Sequence, residues 1–251
     1  MSGILFACDL DNTLLYSLKH LPEDIKKVCV EYYQEKPQGF FSERTVELLR
    51  EVCRKVSFIP VTTRSMEQYR RILWPEGCEP EIALMANGAI LLEHGRPDEA
   101  WQQASRETVR LCAAELGRLY ALLSRQDIYR HCRLVDQMYL FVSCEDEETA
   151  SVEAARCREL TELDVQVSGR KIYFFPPGID KGTALDRLRK RFPVREVLCA
   201  GDSRIDLPML RRADTAFVPS GELFRELPEG KGCLCGQKAL FAEEFLAKIR
   251  N

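Results

Sequence analysis

Read as apolar and polar positions, the chain opens on Ile4-Leu5-Phe6-Ala7-Cys8, an unbroken apolar run that stops at Asp9. A run without polar alternation predicts a strand buried on both faces, as in the middle of a parallel sheet. Residues 14–22 read as an exit loop, 24–33 as a short helix and 34–39 as a break. Ser42 then stands as an N-cap before Val46, Leu49, Val52, Cys53 and Val56 at helical spacing. Residues 57–61 predict a second short buried strand, 66–73 a helix and 82–85 a third strand. This strand-helix-strand order implies a right-handed crossover and a parallel sheet.

The pattern changes between about 90 and 176. A hairpin-like start over 90–101 precedes a helix bearing Val109, Cys112, Ala113, Leu116, Leu119, Tyr120 and Leu123. Strands over 129–135 and 138–144, a helix over 147–160 and a hairpin over 165–167 and 171–175 follow. Helix and strand pairs repeated twice predict an α+β layer with its own core. After Pro176-Pro177-Gly178 the parallel pattern resumes, with a helix from Ile179-Asp180-Lys181-Gly182, strands over 196–200 and 215–218, and a terminal helix over 237–249. The fold expected is α/β, a Rossmann-like parallel sheet over 1–88 and 177–251 with an α+β insert over 89–176.

Composition narrows the partners. With 36 Lys and Arg against 39 Asp and Glu, net −3, no global field favours nucleic acid or a membrane surface. An anionic small molecule would have to be met by local positive charge. No apolar run approaches a membrane span and no signal-peptide pattern precedes the first strand, so a soluble, cytoplasmic protein is expected. Eleven cysteines without a Cys-x-x-Cys pair read as reduced thiols on apolar positions, Cys233-Leu234-Cys235 being the only close pair. Oligomeric state is left open.

Chemistry concentrates at the carboxyl ends of the predicted strands. Asp9 and Asp11 follow the first and share a side wherever the chain stays extended. Two uncompensated carboxylates there would repel and lose hydration. A cation answers both costs, and Mg2+ takes hard oxygen ligands; a helix or turn cap is the plainer reading. Thr62 ends the second strand, where a hydroxyl can donate to a phosphate oxygen or cap the next helix. Asn87-Gly88 ends the third and is first a turn signal. Lys181 opposes the dipole of its helix, which invites pairing with Asp180 or exposure to solvent. Asp202 and Asp206, four apart after the strand at 196–200, share one face if the segment turns helical.

Asp9-Leu10-Asp11-Asn12-Thr13, Thr62-Thr63-Arg64, Lys181-Gly182-Thr183-Ala184-Leu185 and Gly201-Asp202…Asp206 resemble, in order, the four motifs of the haloacid dehalogenase-like (HAD) phosphohydrolases. Thr63 replaces the usual glycine of the second motif, and Arg204 and Ile205 depart from common residues of the fourth. The resemblance implies that Asp9 is the nucleophile, Asp11 the general acid/base, and Thr62 and Lys181 stabilisers of the phosphoryl group. It implies Mg2+ held by Asp9, Asp11 (backbone carbonyl), Asp202 and Asp206. An insert between the second and third motifs is similar to the class II, type B cap of sugar-phosphate phosphatases, so the expected substrate is a small phosphorylated metabolite, a sugar or polyol phosphate. Thr63, Arg64, Asn87, Gly88, His131, Arg133, Arg170, Lys171 and Tyr173 are candidate substrate contacts that turn geometry or solvated strand surface explain equally well. A phosphomutase, a receiver-type signalling domain and a non-catalytic binding protein are the rival readings.

Overall fold

A computed structural model describes residues 3–250. Strand β1 (Ile4–Cys8) leads through a tight turn to an antiparallel hairpin, β2 (Lys27–Tyr33) and β3 (Lys36–Ser42), and then to α1 (Glu43–Cys53). Next come β4 (Ser57–Pro60), the one-turn α2 (Met66–Tyr69), β5 (Ile82–Met85), β6 (Ile90–Glu93), β7 (Arg96–Pro97) and α3 (Glu99–Arg110). A second layer holds α4 (Ala113–Leu123), β8 (His131–Val135), β9 (Tyr139–Ser143), α5 (Glu147–Arg158), β10 (Asp164–Ser168) and β11 (Lys171–Phe175). The chain ends with α6 (Lys181–Arg191), β12 (Glu196–Ala200), α7 (Leu207–Leu210), β13 (Thr215–Val218), α8 (Gly221–Arg225), β14 (Gly232–Leu234) and α9 (Phe241–Arg250).

Among the described residues the main sheet runs β14-β13-β12-β1-β4, with every pair parallel. Leu5, Phe6, Ala7 and Cys8 are fully buried, as expected of a central strand covered on both faces. The strand period of two sorts them. Phe6 packs on Phe58 and, from α9, Phe245, whereas Leu5 and Ala7 join Ala184, Leu185 and Leu188 of α6. β5 extends the sheet beyond β4 through the Val61–Leu84 bridge and a bond from Thr62 N to Leu84 O of 2.9 Å.

In the second layer a four-stranded antiparallel sheet, ordered β10-β11-β9-β8, carries α4 and α5 on one face. Its other face turns toward the carboxyl ends of the parallel strands. There Asp136 accepts from Met66 N at 2.8 Å and the Tyr139 hydroxyl donates to Thr63 O.

Several expectations are corrected. Residues 27–33, read within a helix, form a strand, because Gln34 and Glu35 adopt φ of 49° and 63° and fold the chain back as a hairpin. The helix expected over 66–73 stops at Tyr69, since Leu73 N is claimed by Val30 O of that hairpin at 2.7 Å. The helix through Val109 and Leu123 is two, broken at Cys112 (φ −113°, ψ 8°). The terminal helix begins at Phe241 rather than 237, and α8 and β14 were not foreseen.

Residues 90–101, expected to begin the insert, pack on the core. β6 pairs antiparallel with β5, and the Trp101 indole donates to Gly88 O at 3.0 Å beneath the guanidinium of Arg187, 3.7 Å from the ring centroid. Arg187 also donates to Ser105 Oγ (2.9 Å) and Trp101 O (2.8 Å), and Arg191 pairs with Asp98 and Glu93. α3 is therefore clamped to α6.

Candidate active site

The site is built where β1, β4 and β12 end side by side. Asp9 N continues the ladder to Ala200 O at 2.9 Å, which fixes the first acid beside the turn after β12. In that turn Gly201 has no Cβ for a reason: one would lie 2.5 Å from Asp206 Cβ. The fully buried Asp206 carboxylate folds back, Oδ2 accepting from Asp202 N (3.1 Å), Ser203 N (2.9 Å) and Ser203 Oγ (3.0 Å). Asp180 caps α6 by accepting from Gly182 N and Thr183 N, both at 2.8 Å, and so aims Lys181 inward. The buried ammonium donates to Asp9 Oδ1 at 2.5 Å and Asp206 Oδ1 at 2.6 Å. Those two carboxylates are what stabilise a cation against the helix dipole.

Thr13 Oγ1 lies 3.2 Å from Asp9 Oδ2 and 3.0 Å from Asp202 Oδ1. A hydroxyl carries one proton, so it satisfies one carboxylate at a time. Asp9, Asp202 and Asp206 each place an oxygen within 4.8 Å of the others, three acids against one ammonium. Burial pushes Asp9 up to about 7, opposed by Lys181 and reinforced by Asp206. Burial and the Asp9 charge raise Asp202 well above the usual carboxylate range. Lys181 is raised despite its burial, because Asp206 and Asp9 flank it. A cluster of hard oxygens carrying excess negative charge fits a divalent cation such as Mg2+.

Asp11 points elsewhere. Its carboxylate takes a two-pronged pair from Arg64, Nε to Oδ2 at 2.8 Å and Nη2 to Oδ1 at 2.7 Å, a geometry suited to guanidinium and carboxylate. Burial acts to raise its pKa, but the Arg64 charge and hydrogen bonds carry it below the ordinary value. Arg64, a candidate substrate contact from the sequence, is largely buried and also pairs with Glu31 of β2 through Nη1 at 2.9 Å. Glu31 is 5% exposed. The hairpin thus supplies a second carboxylate that holds Arg64 behind Asp11.

Thr62 is fully buried, and its Oγ1 accepts from Arg64 N at 3.1 Å; the cap of α2 is Ser65 instead. That leaves the Thr62 hydroxyl proton available. Thr63 offers its carbonyl to Tyr139. Asn87 sits in the left-handed region (φ 59°), with N bonded to Thr62 O at 2.9 Å and Nδ2 to Ile179 O at 3.0 Å. Its buried Oδ1 has no partner among the described residues. At Gly88 (φ 92°) a Cβ would lie 2.3 Å from Ala184 Cβ. His131, Arg133 and Lys171 are exposed on the cap-sheet strands β8 and β11, and Arg170 is exposed in the β10–β11 turn. Glu31, Thr13 and Ser203 had been assigned no role from the sequence. Thr13 closes a motif already noticed, whereas Glu31 lay in a stretch misread as helix.

Residues 3–229 match the sequence model of the sucrose-6F-phosphate phosphohydrolase family. The chain belongs to that family. It is a HAD-type phosphatase lineage, in agreement with the motif order and the parallel core. No curated protein sequence matches the chain. Among solved structures, the sucrose-phosphatase of Synechocystis sp. PCC6803, determined in complex with sucrose and phosphate, is similar at TM-score 0.68 and 16% identity, over 99% of this chain and 97% of that one. A Thermoplasma acidophilum protein is similar at TM-score 0.66 and 14% identity, again over 99% and 97%. A trehalose-6-phosphate phosphatase related protein gives TM-score 0.58 at 14% identity, over 98% and 96%. At these identities the likeness shows the fold. Among the described residues no helix is long and apolar enough to cross a membrane.

Proposed function

We propose that the protein hydrolyses the phosphomonoester of a small sugar or polyol, passing the phosphoryl group through Asp9, with the second layer after α3 acting as a cap over the site. The observation that carries this reading is Asp9 itself: a carboxylate at a strand end, 7% exposed, held by Lys181 on one oxygen and approached by Thr13 on the other. Asp9 Oδ2 attacks phosphorus as the ester P–O bond breaks, dividing one displacement into two. Asp11 gives the leaving oxygen its proton and later takes one from the water that attacks the acyl phosphate. Because Arg64 keeps Asp11 ionised in the resting site, the proton it passes to the leaving oxygen is taken up in the complex from the monoanionic form of the phosphate ester or from solvent. Lys181 and the free Thr62 hydroxyl proton bear the charge that develops on the phosphoryl oxygens.

Asp9, Asp202 and the Asp11 backbone carbonyl would hold Mg2+, with Asp206 supporting them, and the ion supplies charge neutralisation for the phosphoryl group when bound. The eleven free thiols support a reducing, cytoplasmic setting. Family membership and the fold shared with the Synechocystis sucrose-phosphatase support a sugar phosphate as substrate. The test is phosphate release from a panel of phosphorylated sugars and polyols with magnesium, repeated with chelator and with Asp9→Asn. Both controls are expected to abolish release. Undiminished turnover by Asp9→Asn removes Asp9 from its role, and a phosphosugar product in place of free phosphate makes the protein a mutase.

A further inference from the structure

The cap sheet presents exposed cations to the mouth of the site. Strand alternation puts His131, Arg133, Phe141, Lys171 and Tyr173 on the side opposite α4 and α5. Register aligns Arg133, Phe141 and Tyr173 in one row and His131, Ser143 and Lys171 in the next. That side lies over the acids: Tyr139, on the same face, reaches Thr63, and β10 runs beside the Arg204–Asp206 turn. The Lys171 charge is one of those that lower Asp11.

Some exposed arginines elsewhere pair with acids, as in Arg130–Glu145, Arg211–Glu226 and Arg212–Asp186. Among the described residues Arg133 and Lys171 have neither an ion pair nor a hydrogen bond; Arg133 lies over the Phe141 ring at 5.1 Å. Phe141 and Tyr173 stand edge to face at 5.5 Å and are themselves buried, so the side chains left exposed on this stretch of the face are the cationic ones. Arg64, by contrast, is already neutralised by Asp11 and Glu31. Two exposed cations without an acidic side-chain partner among the described residues, on the sheet face turned toward the acids, form a seat for a second anion.

Resting on the phosphomonoesterase reading, we infer that the natural leaving group carries its own anionic group, a carboxylate or a second phosphate, received by Arg133 and Lys171. A neutral sugar phosphate fills the catalytic end and leaves this seat empty.

The test is binding to the Asp9→Asn protein, in which turnover plays no part, measured by titration calorimetry with magnesium. One pair of ligands is 6-phosphogluconate against sorbitol 6-phosphate; the other is fructose 1,6-bisphosphate against fructose 6-phosphate. The anion-bearing member of at least one pair binds about tenfold tighter or more, as a charge-assisted contact implies, and the pair that discriminates tells carboxylate from phosphate. Adding Arg133→Gln and Lys171→Gln brings that ratio close to one, with the thermal melt confirming a folded chain. Equal binding within both pairs, or a ratio the double change does not move, overturns the inference. Tight anion binding without phosphate release by the native protein would sink the hydrolase reading and leave the seat intact; release without discrimination would do the reverse.

Discussion

Lys181→Met tests the electrostatics of the site most directly. Methionine keeps the length and apolar stem of the side chain but removes the ammonium that donates to Asp9 at 2.5 Å and Asp206 at 2.6 Å. What remains is three carboxylates whose oxygens lie within 4.8 Å of one another. At an effective dielectric constant near 20, a pair of charges at that separation repels by about 3 kcal/mol. Removing one partner of a buried ion pair costs about 3–5 kcal/mol for the same reason. In a chain of this size each kcal/mol moves the melting temperature by roughly 2–4 °C, so circular dichroism should record a fall of roughly 6–20 °C at pH 8 in chelator. The carboxylates can shed the repulsion by binding protons, which they do more readily at pH 5. The gap between variant and native protein therefore narrows as pH falls. Saturating magnesium should restore more stability to the variant than to the native chain, by replacing part of the lost charge. A loss below about 1 kcal/mol at pH 8, or one equal at pH 5 and pH 8, would show that the three acids are not held together by this lysine.

The native protein in chelator should lose stability as pH rises from about 4 to 7. Asp9 is raised to about 7 and Asp202 is also raised, so the folded state keeps protons that the unfolded chain has already released; the lowered Asp11 acts below that window. Magnesium should flatten the slope, and melts showing a rise across the same range in chelator would contradict the assignment. Glu31→Ala leaves Arg64 with one carboxylate and should cost about 2–3 kcal/mol. In a double-mutant cycle with Arg64→Ala, denaturant melts should give a coupling of about 1–2 kcal/mol, and a coupling near zero would dismiss the pair. Gly88→Ala combines φ of 92° with a Cβ 2.3 Å from that of Ala184 and should cost about 3 kcal/mol. Ala184→Gly in the same chain should return part of that loss, and an unchanged melt for Gly88→Ala would refute the close approach.

The buried strands 4–8, 196–200 and 215–218 were legible because the apolar runs 4–8, 197–200 and 216–218 call for solvent exclusion on both faces. The motif acids were legible for the complementary reason, being charges where the pattern demands burial. Two hairpins of like geometry show the limit. Asp136 and Gln137 (φ 46° and 62°) were read as the gap between two strands because residues 138–142 beside them are apolar and buried. Gln34 and Glu35 (φ 49° and 63°) were missed, since neither is glycine and Lys27–Tyr33 is half exposed. With that hairpin went Glu31, whose carboxylate acquires its meaning only when Arg64 arrives from a distant strand end. Arg64 could not be placed from spacing, because its burial is a property of the pair it bridges. Residues 90–101 looked like the start of a new layer for want of any local sign that β6 would fold back on β5.

The clamp of Trp101 and Arg187 limits how the cap can travel. Gly88 would be the natural swivel for an inserted layer, yet its carbonyl is tethered to the indole, and that ring is sandwiched against the helix that presents Lys181. If the proposed cap opens to admit substrate, its joints would lie farther out, at the Leu111–Cys112 break and at the prolines before Gly178 (φ 85°). The ammonium of Lys181 would then keep its place as the roof lifted.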